Sequence, residues 1–564
     1  MNKQYIQLQE ANCRNCMRCV RICPTKAMTY VDYQPIIKND ECILCGQCYL
    51  VCPHDAKRVF SDLDKVKKWL SNNEKIIISL APSFASVWPN LNELKKSLLE
   101  LGFYDVQEAA IGARIVSEAY TTLIKEKKMK NIITTCCPSV VSLVKKYYPE
   151  LLDQLAPVVS PMIAHGMKIK KDHPDCKVVF ITPCVAKQKE ADEEKYMGLI
   201  DATITMGDFY DYLNGKVNDE LISNIKWDKI EGEISRMYPT PGGIVETLSK
   251  ELSDEYYLIN VEGSERVRRT LDSIKKGDLN GYFIEMSQCE NSCLGGPLLS
   301  HFKHNEWAAR SAIYNNVDLN NKVKVTGEAT DYFTEYKAEH LVKFEHTNEQ
   351  IKDILFLMGK TSENKELNCG MCGYETCREK AIAVLDGKAD PKICLPNALE
   401  KAKSISNTII ENTPNGIIVL DKNNNVQEIN PSAINMLNLG NINLKGFPLF
   451  SILPSSELQK EIKETNKVQY FEHKYEDLGI IIEHAIMKLT DSEIVVLVLM
   501  DVTVNITKDK IIKEMKQQTF KITQDVIDNQ MRTVQEIASL LGETTAKSKI
   551  ALTQLMKVID EDGK

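Results

Sequence analysis

Residues 176–190 read CKVVFITPCVAKQKE. A run of apolar, mostly β-branched residues ends at a proline and a cysteine, and a basic, helix-prone stretch follows. This is the pattern of a buried strand whose C-terminal end presents a thiol. It recurs in KNIITTCCPS (130–139), ending on Cys136 and Cys137, and in GYFIEMSQCE (281–290), ending on Cys289. KIIISLAPSF (75–84) repeats the strand and ends instead on Ala81, Pro82 and Ser83. Amphipathic stretches separate these runs, so residues 63–345 read as an α/β domain. Open α/β sheets bind ligands at the C-terminal ends of their strands, which is where these cysteines fall.

The whole chain has 564 residues, enough for about four domains at roughly 150 residues each. Its net charge is -8, with acidic and basic residues interspersed. No basic face argues for nucleic acid or an anionic membrane as partner. No apolar run is long enough to span a bilayer, and the first residues, MNKQYIQLQEANCRNC, lack the features of a secretory signal. A cytoplasmic location is expected. The 18 cysteines are grouped, which in such a chain points to metal or redox sites rather than disulfides. Cys176 stands apart and reads as a buried or strand-edge thiol.

Residues 1–62 contain an internal repeat. Cys13, Cys16, Cys19 and Cys23 precede Pro24, and Cys42, Cys45, Cys48 and Cys52 precede Pro53. Each copy is the C-x2-C-x2-C-x3-C-P run of bacterial two-cluster ferredoxins. That resemblance implies one 4Fe–4S cube on Cys13, Cys16, Cys19 and Cys52, and a second on Cys42, Cys45, Cys48 and Cys23. A zinc knuckle is the competing reading, and two complete copies disfavour it.

Three cysteine signatures of the central domain, TTCCPSVV, ITPCVAKQKE and EMSQCENSC, resemble in order those of the FeFe-hydrogenase catalytic domain. The resemblance implies a site between two lobes. Cys137, Cys184, Cys289 and Cys293 would hold the cubane half of an H-cluster, and Cys293 would bridge to a two-iron subsite bearing carbon monoxide, cyanide and an azadithiolate. Cys136 would pass protons, Lys187 would hydrogen-bond a cyanide, and the backbone of Ala81, Pro82 and Ser83 would help hold the subsite. Departures from the family pattern are Thr182, Ser287, Val140 and Met162. In the outer proton path, Glu108 matches a first glutamate, whereas Ile111 and Ala156 stand where a second glutamate and a serine are usual. A path short of carboxylates and hydroxyls implies slow proton transfer.

Cys369, Cys372, Cys377 and Cys394 lie in residues 346–402 and resemble a small 4Fe–4S domain; a four-cysteine zinc site fits the count almost as well. Residues 403–505 resemble a PAS domain: GIIVLD, the turn KNNN and VQEIN read as a hairpin, and MDVT closes the segment. His473 and His484 read as structural rather than haem ligands. In residues 506–564, Ile527, Met531, Val534, Ala538 and Leu541 open a heptad seam that continues through Thr545, Ser548, Leu552, Leu555 and Ile559. A coiled-coil homodimer is expected.

The architecture resembles the sensory FeFe-hydrogenases that end in a PAS domain. Dihydrogen and protons as reactants, a ferredoxin-type redox partner and a downstream kinase or phosphatase follow as expectations. The alternatives are a non-catalytic iron–sulfur redox or cluster-assembly protein and a slow metabolic hydrogenase.

Overall fold

The computed structural model describes residues 3–31, 34–88, 91–213, 234–248, 255–302, 305–315, 317, 319, 331–341, 344–440, 444–464, 468–489, 494–541, 553, 554 and 556. The chain divides into two compact units, Met1–Ala398 and Leu399–Lys564. The division falls inside the helix Leu395–Asn412, slightly before the expected boundary at 402/403.

The first unit opens with the cysteine repeat. Strand β1 (Ile6–Leu8) is followed by β2 (Met28–Val31), β3 (Gln34–Ile37) and β4 (Lys57–Val59). β1 pairs with β4 and β2 with β3, both antiparallel, so each half of the repeat contributes to each ribbon. The short helices Arg18–Ile22 and Gln47–Leu50 carry the third cysteine of each run. Each helix is entered through a left-handed residue, Met17 in one copy and Gly46 in the other. Gly46 has no room for a side chain, because a Cβ there would lie 2.4 Å from Pro297 of the central domain.

That central domain contains β5 (Ile76–Leu80), β6 (Asp105–Glu108), β7 (Ile132–Ile133), β8 (Lys177–Thr182), β9 (Ala202–Thr205), β10 (Tyr257–Glu262) and β11 (Tyr282–Ser287). They form two parallel sheets, β6-β5-β8-β9 and β10-β11-β7. Every residue of β5 and all but the first of β8 are buried, as continuous apolar strands in a parallel sheet must be. Register pairs Leu80 with Ile181 in one sheet and Ile284 with Ile133 in the other, which aligns the strand ends that precede the cysteines. Cys176 is buried at the entrance to β8, as its sequence context implied.

The second unit is a five-stranded antiparallel sheet, formed by β12 (Gly416–Leu420), β13 (Val426–Ile429), β14 (Gln469–Tyr475), β15 (Ile480–Leu489) and β16 (Ile494–Asp501). Their order is β13-β12-β16-β15-β14. β16 alternates buried and half-buried residues, so one face meets the core that includes Leu449, Leu458 and Leu497. Asn430 fastens the entry to the sheet. Its Oδ1 accepts from the amides of Ile417 (2.8 Å) and Ala433 (2.9 Å), and its Nδ2 donates to Ile410 O (2.8 Å) and Asn415 O (3.0 Å).

A helix of 39 residues, Thr503–Leu541, follows, starting slightly before the expected residue 506, where Asp501 accepts from the Thr503 amide at 2.9 Å. Ile527 and Met531 of the expected seam lie on it. Thr545, Ser548, Leu552, Leu555 and Ile559 lie outside the described residues.

Candidate functional site

The C-terminal ends of the two parallel sheets face a common cavity of about 880 Å³ including its mouth. Ala81, Pro82 and Ser83 enter it from the end of β5, and Cys184 and Lys187 from the end of β8. Cys136 and Cys137 follow β7, while Cys289 and Cys293 follow β11. The four expected cube ligands, the expected proton-transfer thiol and the expected cyanide donor are therefore brought together. Cys137 and Cys184 are also the N-caps of the helices Pro138–Tyr147 and Val185–Ala191. Two helix N-termini aimed at one cavity favour an anionic occupant.

Burial governs the thiols. The surrounding protein pushes Cys184 up to about 11, and Cys289 and Cys293 also rise, each in the company of the other cysteines. Cys293 nevertheless bares more than a third of its surface, since it lines the cavity. Cys136 is pushed up to about 12 by burial, against the opposing effects of a hydrogen bond from Tyr120 and the charge of Lys187. Its thiol is neutral near pH 7 and able to donate. Tyr120 Oη lies 3.2 Å from Cys136 Sγ and accepts from the Thr135 amide at 3.0 Å.

Lys187 Nζ lies 2.8 Å from Glu190 Oε2 in a buried pair. Burial alone would lower the lysine, but the Glu190 carboxylate outweighs it and the ammonium is held above its ordinary range. A permanent cation thus stands in the cavity wall.

Glu108, at the end of β6, does not line the cavity. Arg236 clasps it through two bonds of 2.7 and 2.5 Å in a buried pair. The structure thus brings Glu108 to a guanidinium, whose planar fork matches a carboxylate bidentately. Val140 and Ala156 are fully buried core residues, and Met162 and Ser287 line the cavity. Thr182 shapes the cysteine turn: its Oγ1 accepts from the Cys184 amide at 3.0 Å. Glu285, on β11, is a buried carboxyl that sequence reading missed. Burial raises it to about 8, although the amides of Gly242, Ile244 and Val245 all donate to it.

Two further cysteine-lined cavities lie in the same unit. Cys13, Cys16, Cys19 and Cys52 surround one of about 400 Å³. Cys369, Cys372, Cys377 and Cys394 surround another of about 350 Å³. Among the described residues no three His, Cys, Asp or Glu side chains converge on an ion-sized point. Cys23, Cys42, Cys45 and Cys48 lie within electrostatic reach of one another, and Cys45 in turn acts on Cys289.

The donor sets fit iron–sulfur cubes on a second count. Lys57 Nζ, buried in the first cavity's wall, and the Tyr374 hydroxyl beside the other have no hydrogen-bond partner among the protein atoms. Buried donors are rarely left so, and a thiolate-ligated cube offers negative charge and sulfur acceptors.

Comparison with known proteins agrees with this geometry. Residues 74–297 match the family "Iron only hydrogenase large subunit, C-terminal domain", and 12–57 match "4Fe-4S dicluster domain". Residues 366–396 match "Putative Fe-S cluster" and 405–469 match "PAS domain". This is a hydrogenase-like iron–sulfur protein with a PAS domain.

The chain is 26% identical over 368 residues to iron hydrogenase 1 of Clostridium pasteurianum, covering 52% of this chain and 64% of that protein. It is 26% identical over 361 residues to the periplasmic [Fe] hydrogenase large subunit of Nitratidesulfovibrio vulgaris, covering 52% and 85%. A 23% identical match covers 31% of this chain and 40% of the cytosolic Fe-S cluster assembly factor NAR1 of Kluyveromyces lactis. A solved [FeFe]-hydrogenase variant from Chlamydomonas reinhardtii superposes with a TM-score of 0.40 at 17% identity, covering 50% of this chain and all of that one. Among the described residues, no helix of this hydrogenase-like protein is long and apolar enough to cross a membrane.

Proposed function

We propose that the chain is a sensory FeFe-hydrogenase, in which slow reversible chemistry on dihydrogen sets the redox state of its iron–sulfur cubes and thereby of a PAS output. The observation that carries this is the single cavity where Cys136, Cys137, Cys184, Cys289, Cys293 and Lys187 meet, in a chain that also carries a PAS domain.

Cys137, Cys184, Cys289 and Cys293 would hold the cubane part of an H-cluster, with Cys293 also ligating the two-iron subsite. When bound, that subsite supplies the cleavage and formation of dihydrogen. Lys187 supplies a fixed ammonium donor in a site poor in water, where a charged donor is strongest. Cys136, neutral and bonded to Tyr120, hands a proton across the cavity wall. Ala81, Pro82 and Ser83 line the cavity and would help hold the subsite. Cys45 and Cys137 pack against one apolar cluster, so cubes held there would be neighbours able to exchange electrons, and the ferredoxin-like repeat would offer these to a ferredoxin-type partner. A homodimer formed by the long C-terminal helix would present the signal to a kinase or phosphatase in the cytoplasm.

Infrared spectroscopy tests the reading. The protein matured with the two-iron subsite should show carbonyl and cyanide bands that shift under dihydrogen. Absence of these bands from protein with its full iron content would end the proposal. Similarity to a cluster-assembly factor favours a second reading, a cube without a two-iron subsite. The placement of Cys136 and Lys187 on the cavity wall counts against it.

A further inference from the structure

The small cysteine module packs against the ferredoxin-like repeat beside Cys23. Gly373, directly after Cys372, adopts a left-handed backbone and backs onto Val20 so closely that a Cβ would lie 2.7 Å from Val20 Cγ1. Lys26 clasps the two loops together. Its Nζ donates to Gly373 O at 2.9 Å and, on the other side, to Arg21 O at 3.0 Å and Val20 O at 3.4 Å. Lys388 reinforces the contact by pairing with Glu41, the neighbour of Cys42, at 2.7 Å. Tyr374 is 5% exposed, its hydroxyl lacks a partner, and it lies within electrostatic reach of both Cys372 and Cys23.

These contacts gather on residues beside Cys23 and Cys42. The same quartet abuts the central domain: Gly46 packs against Pro297, and Cys45 packs against the same apolar cluster as Cys137. Cys19 of the other quartet packs against the apolar cluster that includes Cys48. One cysteine quartet therefore borders three others.

We propose that the second ferredoxin-type cube, on Cys23, Cys42, Cys45 and Cys48, is a three-way electron junction, to which Lys26 and Tyr374 as positioning residues couple the cube of Cys369, Cys372, Cys377 and Cys394. This rests on the reading that all these quartets bind cubes. The step is the transfer of one electron from a reduced cube to an oxidised one, with no bond made and no proton moved. The route runs through the packed Cys372–Gly373 and Val20–Cys23 segments. Its consequence is a branch. Electrons from the catalytic cavity can pass to the first cube and outward, or to the module, whose Cys394 immediately precedes the helix leading to the PAS unit. The module thus reads the redox state of the junction instead of lying in series at the end of a single wire.

The test uses the full chain reconstituted with iron and sulfide, without the two-iron subsite, and reduced by dithionite. Electron paramagnetic resonance reports magnetic interaction between reduced cubes, and iron analysis counts them. In a Cys16→Ser background, which disables the first cube, interaction between the module and the junction should persist and should decrease on adding Cys377→Ser. Persistence of the full interaction after Cys377→Ser, or loss of the module's interaction with Cys16→Ser alone, overturns the junction. Lys26→Met should make the midpoint potential of the junction cube more negative and leave that of the first cube in place, with Lys26→Arg restoring it. A shift confined to the first cube overturns the assignment. Wild-type iron short by one cube overturns the cluster reading itself; full iron without module coupling overturns only the junction.

Discussion

Cys136 is a half-buried thiol on the cavity wall and Glu285 a buried carboxyl behind it in β11, and their surroundings give them different uses. Burial keeps Cys136 a neutral thiol, and Tyr120 fixes its position at 3.2 Å. On the proposed reading, replacing it by alanine removes the proton carrier and leaves the four cysteines that would hold the cube in place. Cys136→Ala should therefore retain the infrared bands of the matured site while hydrogen turnover falls by about 10²-fold or more. Glu285 has a carboxyl raised to about 8 against 4.5 in an unfolded chain. The folded state prefers its protonated form, so its stabilising contribution is complete below pH 4.5 and is lost as pH rises through about 8. Melting temperature should fall across that window, and Glu285→Gln should flatten the slope. An unchanged slope in the variant would assign the effect elsewhere.

At the scale of elements, what could be read in the sequence was what lies close along the chain. Three ligands of a cube fit in one loop, so the spacing of Cys13, Cys16 and Cys19 announces the site by itself. Buried strands ending in cysteine gave β7, β8 and β11 and the cavity they face. Pairings between distant segments leave no such trace. Arg236 reaches Glu108 across 128 positions and Lys26 reaches Gly373 across 347, and no periodicity encodes either. The same limit applies on β15. His484 was expected to be structural, but its setting was not legible: it stacks on Phe471 at 4.5 Å and bonds the Tyr475 hydroxyl at 3.0 Å. Burial lowers it to about 4, so the sheet holds a neutral ring and loses stability as pH falls from 6.5 towards 4. Hydrogen exchange in β14 and β15, corrected for intrinsic rates, should accelerate over that range. His484→Phe should remove the dependence.

For the whole molecule, the open question is how the long C-terminal helix is stabilised. Thr503–Leu541 carries exposed Ile511, Met515, Ile522 and Val526, spaced by four and seven residues along one stripe. A solitary helix gains little from its own hydrogen bonds, and its apolar stripe is costly in water. A second copy of the same helix would cover the stripe at once, because a two-fold pair is self-complementary. The cysteine quartets all lie in the first unit, Met1–Ala398, and take no ligand candidate from this helix. Truncation after Val502 should therefore convert a dimer into a monomer, measured by light scattering, while iron and sulfide content per chain stay unchanged. A truncated protein that remains dimeric would move the interface to the PAS sheet or the first unit. A full-length protein that is monomeric would leave the stripe for a different protein, and the signal would then pass by hetero-association.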